Sequence, residues 1–514
     1  MSRQKEHAVS QITLDNDFNV PDIKPDIDTL ILDRGEIQIE DVRPEKGRII
    51  LKGMLVAGVL YAADRSIAKV EAMECRIPFE EILHMESMEP GDNLKVDWEI
   101  EDLNVSMIHS RKVSIRAIVT FIASAEIIYD AELACGFSKG ETVQTLTEEL
   151  EVLGLCMTKK DTYRIKDELI LAGNQANIRE LLWKDISLCG AETRLMENKI
   201  SVKGELEVFA LYEGENEEQL QWITGTLPFA GNVDLPGCRP EMIGDIRVDV
   251  IKKNMEVKPD YDGEMRMFQV EMILEIHMNV YEEQTCQVLM DVYSTEEKLN
   301  LQTEEIQYER LRMCNQTKCK VSGQERLGED VKILQILGHQ AGLQNKRCKM
   351  TEQGVLCEGM LEVQILYVTS SDSRPFDTMV VSVPYSQLVE IPEIEKDDSW
   401  KVSEMLEQTS ITMPEGNVLE LRGIISFQAC VMQQCSRNNI VNITAEPYDL
   451  EEYKNCPGMR IHFVQPKETL WGIAKENRTT VEEMKKVNDL TAEEITPGQK
   501  LLILKTAAEP LQLL

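Results

Sequence analysis

Three stretches of the chain repeat one another: "KGMLVAGVLYAAD" from Lys52, "KGELEVFALYEGE" from Lys203 and "EGMLEVQILYVTS" from Glu358. Gly53, Gly204 and Gly359 each stand eight residues before the tyrosine of a Leu-Tyr pair, at Tyr61, Tyr212 and Tyr367. A Pro-aromatic pair follows each tyrosine after 16 or 17 residues: Pro78-Phe79, Pro228-Phe229 and Pro384-Tyr385. The copies lie 151 and 155 residues apart. Matched spacing at three separate features identifies three homologous domains of about 130 to 150 residues.

Each copy closes with a long alternating run. One face of "FQVEMILEIHMNVY" reads Phe268, Val270, Met272, Leu274, Ile276, Met278 and Val280. The third copy offers Leu419, Leu421, Gly423, Ile425, Phe427, Ala429 and Val431, and the first offers Val113, Ile115, Ala117, Val119 and Phe121. Period two over such lengths marks half-buried β-strands. With the Gly-to-Tyr strands, it predicts mainly β architecture: three antiparallel, sandwich-like domains. We place them at residues 1–139, 140–295 and 296–440, with a polar linker at 441–458 and a small terminal module at 459–506. Two segments between the copies carry helical spacing instead, "DTYRIKDELILAGNQANIRELLWK" (Asp161–Lys184) and "GEDVKILQILGHQ" (328–340).

Charge excludes some functions. The 514 residues carry a formal net charge of −35, which opposes binding to nucleic acid and to an anionic membrane surface. Residues 461–505 hold seven basic and seven acidic residues, so the excess lies elsewhere. Only 5% of residues are aromatic, so the cores must be aliphatic. Thirteen cysteines, scattered and without a CxxC, predict a reducing compartment, with most acting as small core residues. Cys430 and Cys435 read as two reduced thiols. The first thirty residues lack an apolar export segment, and no run is long enough to span a membrane, so we expect an intracellular protein.

No catalytic signature is present: no GxSxG, P-loop, HExxH or dinucleotide glycine fingerprint. The six histidines, at 7, 84, 109, 277, 339 and 462, never stand at metal-ligand spacing. His277 reads as a solvated residue of a polar strand face. The acidic runs "EKDD" from Glu395 and "ENEEQ" from Glu215 read as solvated loops. The expectation is a protein without catalytic residues, cofactor or metal.

The terminal module "IHFVQPKETLWGIAKENRTTVEEMKKVNDLTAEEITPGQKLLIL" reads β-α-α-β. Thr469 is placed to cap a first helix with Leu470, Ile473 and Ala474 inward. Thr480 and Glu483 form a capping-box pattern for a second helix with Val481, Met484 and Val487 inward. The module resembles a LysM domain. Val464, Thr469-Leu470, Ile473-Ala474, Asn488, Leu490, Ile495, Pro497-Gly498-Gln499 and Leu501 match the family pattern. The family's Gly and Asp in the first turn are here Lys467 and Glu468. The resemblance implies a groove for N-acetylglucosamine polymers or for a partner. Its residues here are Pro466, Lys467, Glu468, Thr469, Leu470, Trp471, Asn488, Asp489, Leu490, Ile495 and Pro497. The altered turn weighs against glycan. Trp471 has two readings, an aromatic anchor for a partner or a cover for the small core.

Three such β-repeats followed by one LysM domain resemble the SPOCS-domain proteins of sporulating Firmicutes, in particular the clostridial LysM-containing spore coat morphogenetic proteins. That resemblance implies a non-enzymatic scaffold in the mother cell, at the forespore surface. Its LysM domain would dock the polymerising morphogenetic ATPase of the basal coat layer, or another coat protein. The alternative is a wall protein that binds peptidoglycan or N-acetylglucosamine.

Overall fold

A computed structural model describes residues 2–64, 69–130, 132–137, 142–215, 220–328, 331–370, 375–415, 417–448 and 457–504. The expected β architecture is present. Each repeat contains two three-stranded sheets. In the first repeat, β2 (Thr29–Glu45), β3 (Arg48–Asp64) and β4 (Lys69–His84) form a meander, while β1 (Ser2–Asn19) and β5 (Asn93–His109) flank β6 (Lys112–Ile128). The second repeat sets β8 (Ile178–Met196), β9 (Lys199–Gly214) and β10 (Gln221–Asp234) against β7 (Val143–Ile170), β12 (Met265–Ser294) and β11 (Ile243–Pro259). The third sets β14 (Ile333–Thr351), β15 (Gly354–Thr369) and β16 (Phe376–Glu390) against β13 (Glu297–Arg326), β18 (Val418–Pro447) and β17 (Ser399–Glu415). Each alternating run becomes the central strand of its sheet, and its apolar face lies in the sandwich core.

The repeat signature now has a physical meaning. In the meander sheets, Gly53 pairs with Phe79, Gly204 with Phe229 and Gly359 with Tyr385. Each ring lies over its glycine. A Cβ on Gly53 would come 2.8 Å from the Phe79 ring, and one on Gly359 would come 2.6 Å from the Tyr385 ring. The glycine and the Pro-aromatic pair are therefore two halves of one cross-strand contact. The Leu-Tyr pair works by alternation. Tyr61, Tyr212 and Tyr367 point into their own cores. Leu60, Leu211 and Leu366 point the other way, into a single cluster shared by all three repeats.

Three β-bulges complete that cluster. The register slips between Leu30 and Leu32, between Leu181 and Trp183, and between Ile336 and Gly338. The extra residues, Ile31, Leu182 and Leu337, are all buried in the shared cluster. The same bulges correct the helical expectation. Residues 161–170 lie in β7, 178–184 in β8 and 333–340 in β14; residues 329–330 of the second segment lie outside the described residues. A bulge breaks period two. Apolar residues at 178, 181 and 182, and again at 333, 336 and 337, then imitate the i, i+3, i+4 spacing of a helix.

Polar contacts also join the repeats. Arg34 pairs with Asp185, and the Thr378 hydroxyl donates to the Ile31 carbonyl at 2.9 Å. Lys401 Nζ lies 3.2 Å from Glu126 and 3.2 Å from Asp245, so one cation bridges carboxylates of the other two repeats.

Two further readings need correction. Cys430 is disulfide-bonded to Cys314, with Cα atoms 4.0 Å apart on paired strands, rather than being a reduced thiol beside Cys435. The "EKDD" run is not fully solvated: Asp398 is buried and pairs with Arg312 at 2.7 Å. Residues 216–219 of "ENEEQ" lie outside the described residues. His277 is half-buried, with Nε2 2.9 Å from the Glu275 carboxylate.

The strands divide between two compact units. The sandwich cores form the first. Residues 130–153, 283–310 and 434–514 form the second, which contains the ends of β7, β12, β13 and β18 and the terminal module. Leu289, Val292 and Ile440 form a small core there with Ala134, Phe137 and Ile443 packed against it. Asn439 is buried and accepts from the Ala134 amide at 3.1 Å. The segment 441–458 thus begins as strand, since β18 runs to Pro447.

Because Leu211 is fully buried in the shared cluster, truncating it should be expensive. Leu211→Ala is expected to destabilise the chain by about 2–5 kcal/mol. Guanidinium unfolding of the full chain would measure this, and an unchanged midpoint would show that the repeats do not depend on the cluster.

Candidate functional site: the terminal module

The terminal module has the expected β-α-α-β order. Strands β19 (Met459–Phe463) and β20 (Lys500–Leu504) pair antiparallel and enclose α1 (Leu470–Glu476) and α2 (Val481–Val487). Val464, Leu470, Ile473, Ala474, Met484, Leu501 and Ile503 form its core. Both predicted N-caps are formed. The Thr469 hydroxyl accepts from the Gly472 amide at 3.1 Å, and that of Thr480 from Glu483 at 3.0 Å.

Two turns stand side by side, joined through Val464, whose carbonyl accepts from Gly498 and whose amide donates to Gln499. Thr496-Pro497-Gly498-Gln499 closes with a 3.0 Å bond from the Gln499 amide to the Thr496 carbonyl, and Gly498 has φ +86°. Gln465-Pro466-Lys467-Glu468 repeats this form, with a 3.2 Å closing bond and Lys467 at φ +73°. Proline second and a positive φ third define a type II turn, where glycine is favoured. Lys467 therefore keeps the backbone shape of the family's glycine in a conformation that an L-residue adopts at a penalty. Glu468 braces the turn: its carboxylate accepts from the Gln465 amide at 2.7 Å and lies 2.8 Å from His462 Nε2. Those two contacts, the amide first, hold its carboxyl below the usual range.

The remaining groove residues divide by role. Pro466, Lys467, Thr469, Asp489 and Pro497 are exposed around the two loops. Leu490 and Ile495 are half-buried against the core, and Leu470 is inside it. Asn488 fastens α2 to the closing strand, accepting from the Leu502 amide at 2.6 Å and donating to its carbonyl at 2.8 Å. Asp489, at φ +50°, ends α2, followed by a 2.9 Å bond from the Leu490 amide to the Lys485 carbonyl.

Trp471 has a partner within the chain. Its indole Nε1–H donates to Asp291 at 2.8 Å, and its ring meets Tyr293 edge-on with centroids 4.8 Å apart. Lys475, one helical turn on, reaches both oxygens of Asp291 at 2.6 and 2.8 Å. Tyr293 is buried in the module's core, and its hydroxyl donates to the Thr479 carbonyl at 2.8 Å. Arg478 stacks on Tyr448 at 3.7 Å. The end of β12 thus completes the module's core. No local sequence signal marks Asp291 or Tyr293, because they lie about 180 residues away from the groups they hold.

The module also presents an exposed apolar strand face. Met459, Ile461 and Phe463 alternate along β19 at 61%, 60% and 51% exposure, and Leu504 opposite Met459 is 41% exposed. Lys500 lies 5.6 Å from the Phe463 ring centroid.

Two variants test this geometry. Lys467→Gly should stabilise the module by about 0.5–1 kcal/mol by relieving the left-handed residue. Asp291→Ala should loosen α1 by about 1–3 kcal/mol, since the indole N–H and Lys475 both lose their acceptor. Hydrogen exchange of residues 462–478 in the full chain reads both, as slower and faster exchange respectively.

Comparison with known proteins agrees with this architecture. The family model "SipL, SPOCS domain" matches residues 10–108, 177–258 and 332–414, together more than half of the chain. The LysM domain model matches residues 462–504. Among curated proteins, the "Probable endopeptidase p60" of Listeria seeligeri is 52% identical over 46 residues, and that of Listeria welshimeri 50% over 46. Each match covers 9% of this chain and 9% of the relative. No solved structure matches. Among the described residues, no helix is long and apolar enough to cross a membrane. The chain belongs to the SipL SPOCS-domain family and carries a C-terminal LysM domain.

Proposed function

We propose that this chain is a non-enzymatic scaffold of endospore formation, acting at the forespore surface of the mother cell. Its LysM module docks a coat morphogenetic protein and recruits it for coat assembly. The observation that carries this reading is the apolar face of β19 and β20, formed by Met459, Ile461, Phe463 and Leu504. An exposed apolar strand face with Lys500 at its edge is what a protein partner buries. Trp471 and Lys475 hold the module from its other contacts, which fixes the presentation of that face. The acidic body favours partners with basic surfaces. The shared stretch with the Listeria endopeptidases is confined to LysM, so it supplies no reason to carry over their activity.

A second reading, binding of N-acetylglucosamine polymers, is supported by a different feature. The Pro466-Lys467 turn retains the type II backbone despite its lost glycine.

Calorimetry on the full chain separates the two. The probes are chitin oligosaccharides and the purified ATPase of the basal coat layer. The scaffold reading expects ATPase binding that falls at least about tenfold in Ile461→Glu and Phe463→Glu, a loss of about 1.4 kcal/mol or more. Sugar binding without ATPase binding, lost on changing Leu490 or Pro466, would replace it with the glycan reading.

A further inference from the structure

The third repeat brings two thiols and a carboxylate together between its two sheets. Cys348 of β14 stands directly opposite Cys357 of β15, with the sulfurs 3.2 Å apart. Glu404 of β17, in the facing sheet, brings a carboxylate oxygen 3.0 Å from Cys348 Sγ. The three donor atoms all lie within 4.8 Å of one another. The Tyr385 hydroxyl donates to the second oxygen of Glu404 at 2.9 Å. Cys357 is buried, while Cys348 and Glu404 are half-buried.

The other repeats provide an internal control. The same cross-strand pair is Val42–Leu51 in the first repeat and Thr193–Val202 in the second. The ring over the repeat glycine is Phe79 and Phe229 there, and Tyr385 here. Glu404 pairs with Phe427, and the first repeat's counterpart is Trp98, paired with Phe121. Relative to the first repeat, four positions become ligating or hydrogen-bonding together, and they are the four that meet in space. The sandwich does not require them, since the first repeat has apolar residues at all four positions, with Leu51 and Phe79 buried and Val42 and Trp98 each 36% exposed.

We propose that Cys348, Cys357 and Glu404 form a three-ligand site for a thiophilic divalent cation, with zinc as the fitting ion and solvent in the fourth position. Two thiolates select a borderline-soft metal over calcium or magnesium, which take oxygen ligands. Two thiolates and one carboxylate, completed to four by water, match zinc coordination. Tyr385 orients the carboxylate, as outer-sphere hydrogen bonds do at metal sites. Ligation requires thiolates, so binding releases the thiol protons and tightens as pH rises. The bound ion would join β14 and β15 to β17, tying together the two sheets of this repeat.

Cobalt(II) titration of the full chain under reducing conditions tests the site, with zinc competition as the second readout. The expected result is one tetrahedral, thiolate-ligated cobalt per chain, displaced by zinc. The signal should vanish in Cys348→Val/Cys357→Leu, which introduces residues that the first repeat carries at these two positions. Tyr385→Phe, the residue of the other two repeats, should weaken binding about 10- to 100-fold. Cobalt binding that survives in the Val/Leu variant would overturn the proposal. So would a wild-type chain that takes up neither cobalt nor zinc, or whose Cys348 and Cys357 are recovered as a disulfide under those conditions.

Discussion

Adjacent residues of a β-strand face opposite sides of the sheet, and this structure depends on that fact at three Leu-Tyr pairs. Each tyrosine fills its own sandwich, and each leucine fills a cluster common to all three. A sheet with both faces buried must be apolar on both. This explains why Leu60-Tyr61, Leu211-Tyr212 and Leu366-Tyr367 interrupt strands that otherwise alternate. The bulge residues Ile31, Leu182 and Leu337 belong to the same constraint. An extra residue at that point turns one more side chain towards the shared cluster without disturbing the cross-strand pairs beyond it. The polar ties between repeats, at Arg34–Asp185 and around Lys401, then set orientation more than they add stability.

Legibility in the sequence followed interaction range. Strand faces such as Phe268 to Val280 were readable because period two is a local property. The repeats were readable because three copies of one contact leave the same spacing three times. Bulges defeated local reading. They shift the alternation by one, and in 161–184 and 328–340 the residue was a helix-like pattern that long-range pairing overrides. The Cys314–Cys430 bond was illegible for a related reason: 116 residues separate two positions that only the strand register places together.

In the terminal module, the caps and core were legible because they lie within a few residues of one another. Trp471 was legible in part: it packs against the core, as one of its two readings has it, but the completion of that core by Tyr293 and the hold of Asp291 on the first helix left no local signal. An indole clamped by a carboxylate and an aromatic edge orients the helix that carries it. The clamp leaves two kinds of surface outward, the two Pro turns and the β19 face. These differ in kind. The turns offer backbone groups and a few polar tips, as a sugar requires. The β19 face offers apolar area at about half exposure, which water disfavours and a protein can bury.

The repeats differ from one another in a way that duplication makes possible. All three repeats supply a leucine to the shared cluster, at Leu60, Leu211 and Leu366, whereas the cross-strand pair at Cys348 and Cys357 has different residues in each. The first repeat keeps an apolar pair at Val42 and Leu51, where the third carries two thiols facing a carboxylate. A polar set inside a β-sandwich lowers stability unless something satisfies it. The hydrogen bonds among Cys348, Glu404 and Tyr385 do so only in part, because a thiol is a weak donor and a weak acceptor. A divalent ion would satisfy all three ligands at once, and would give the third repeat a dependence on its surroundings that its two sister domains lack.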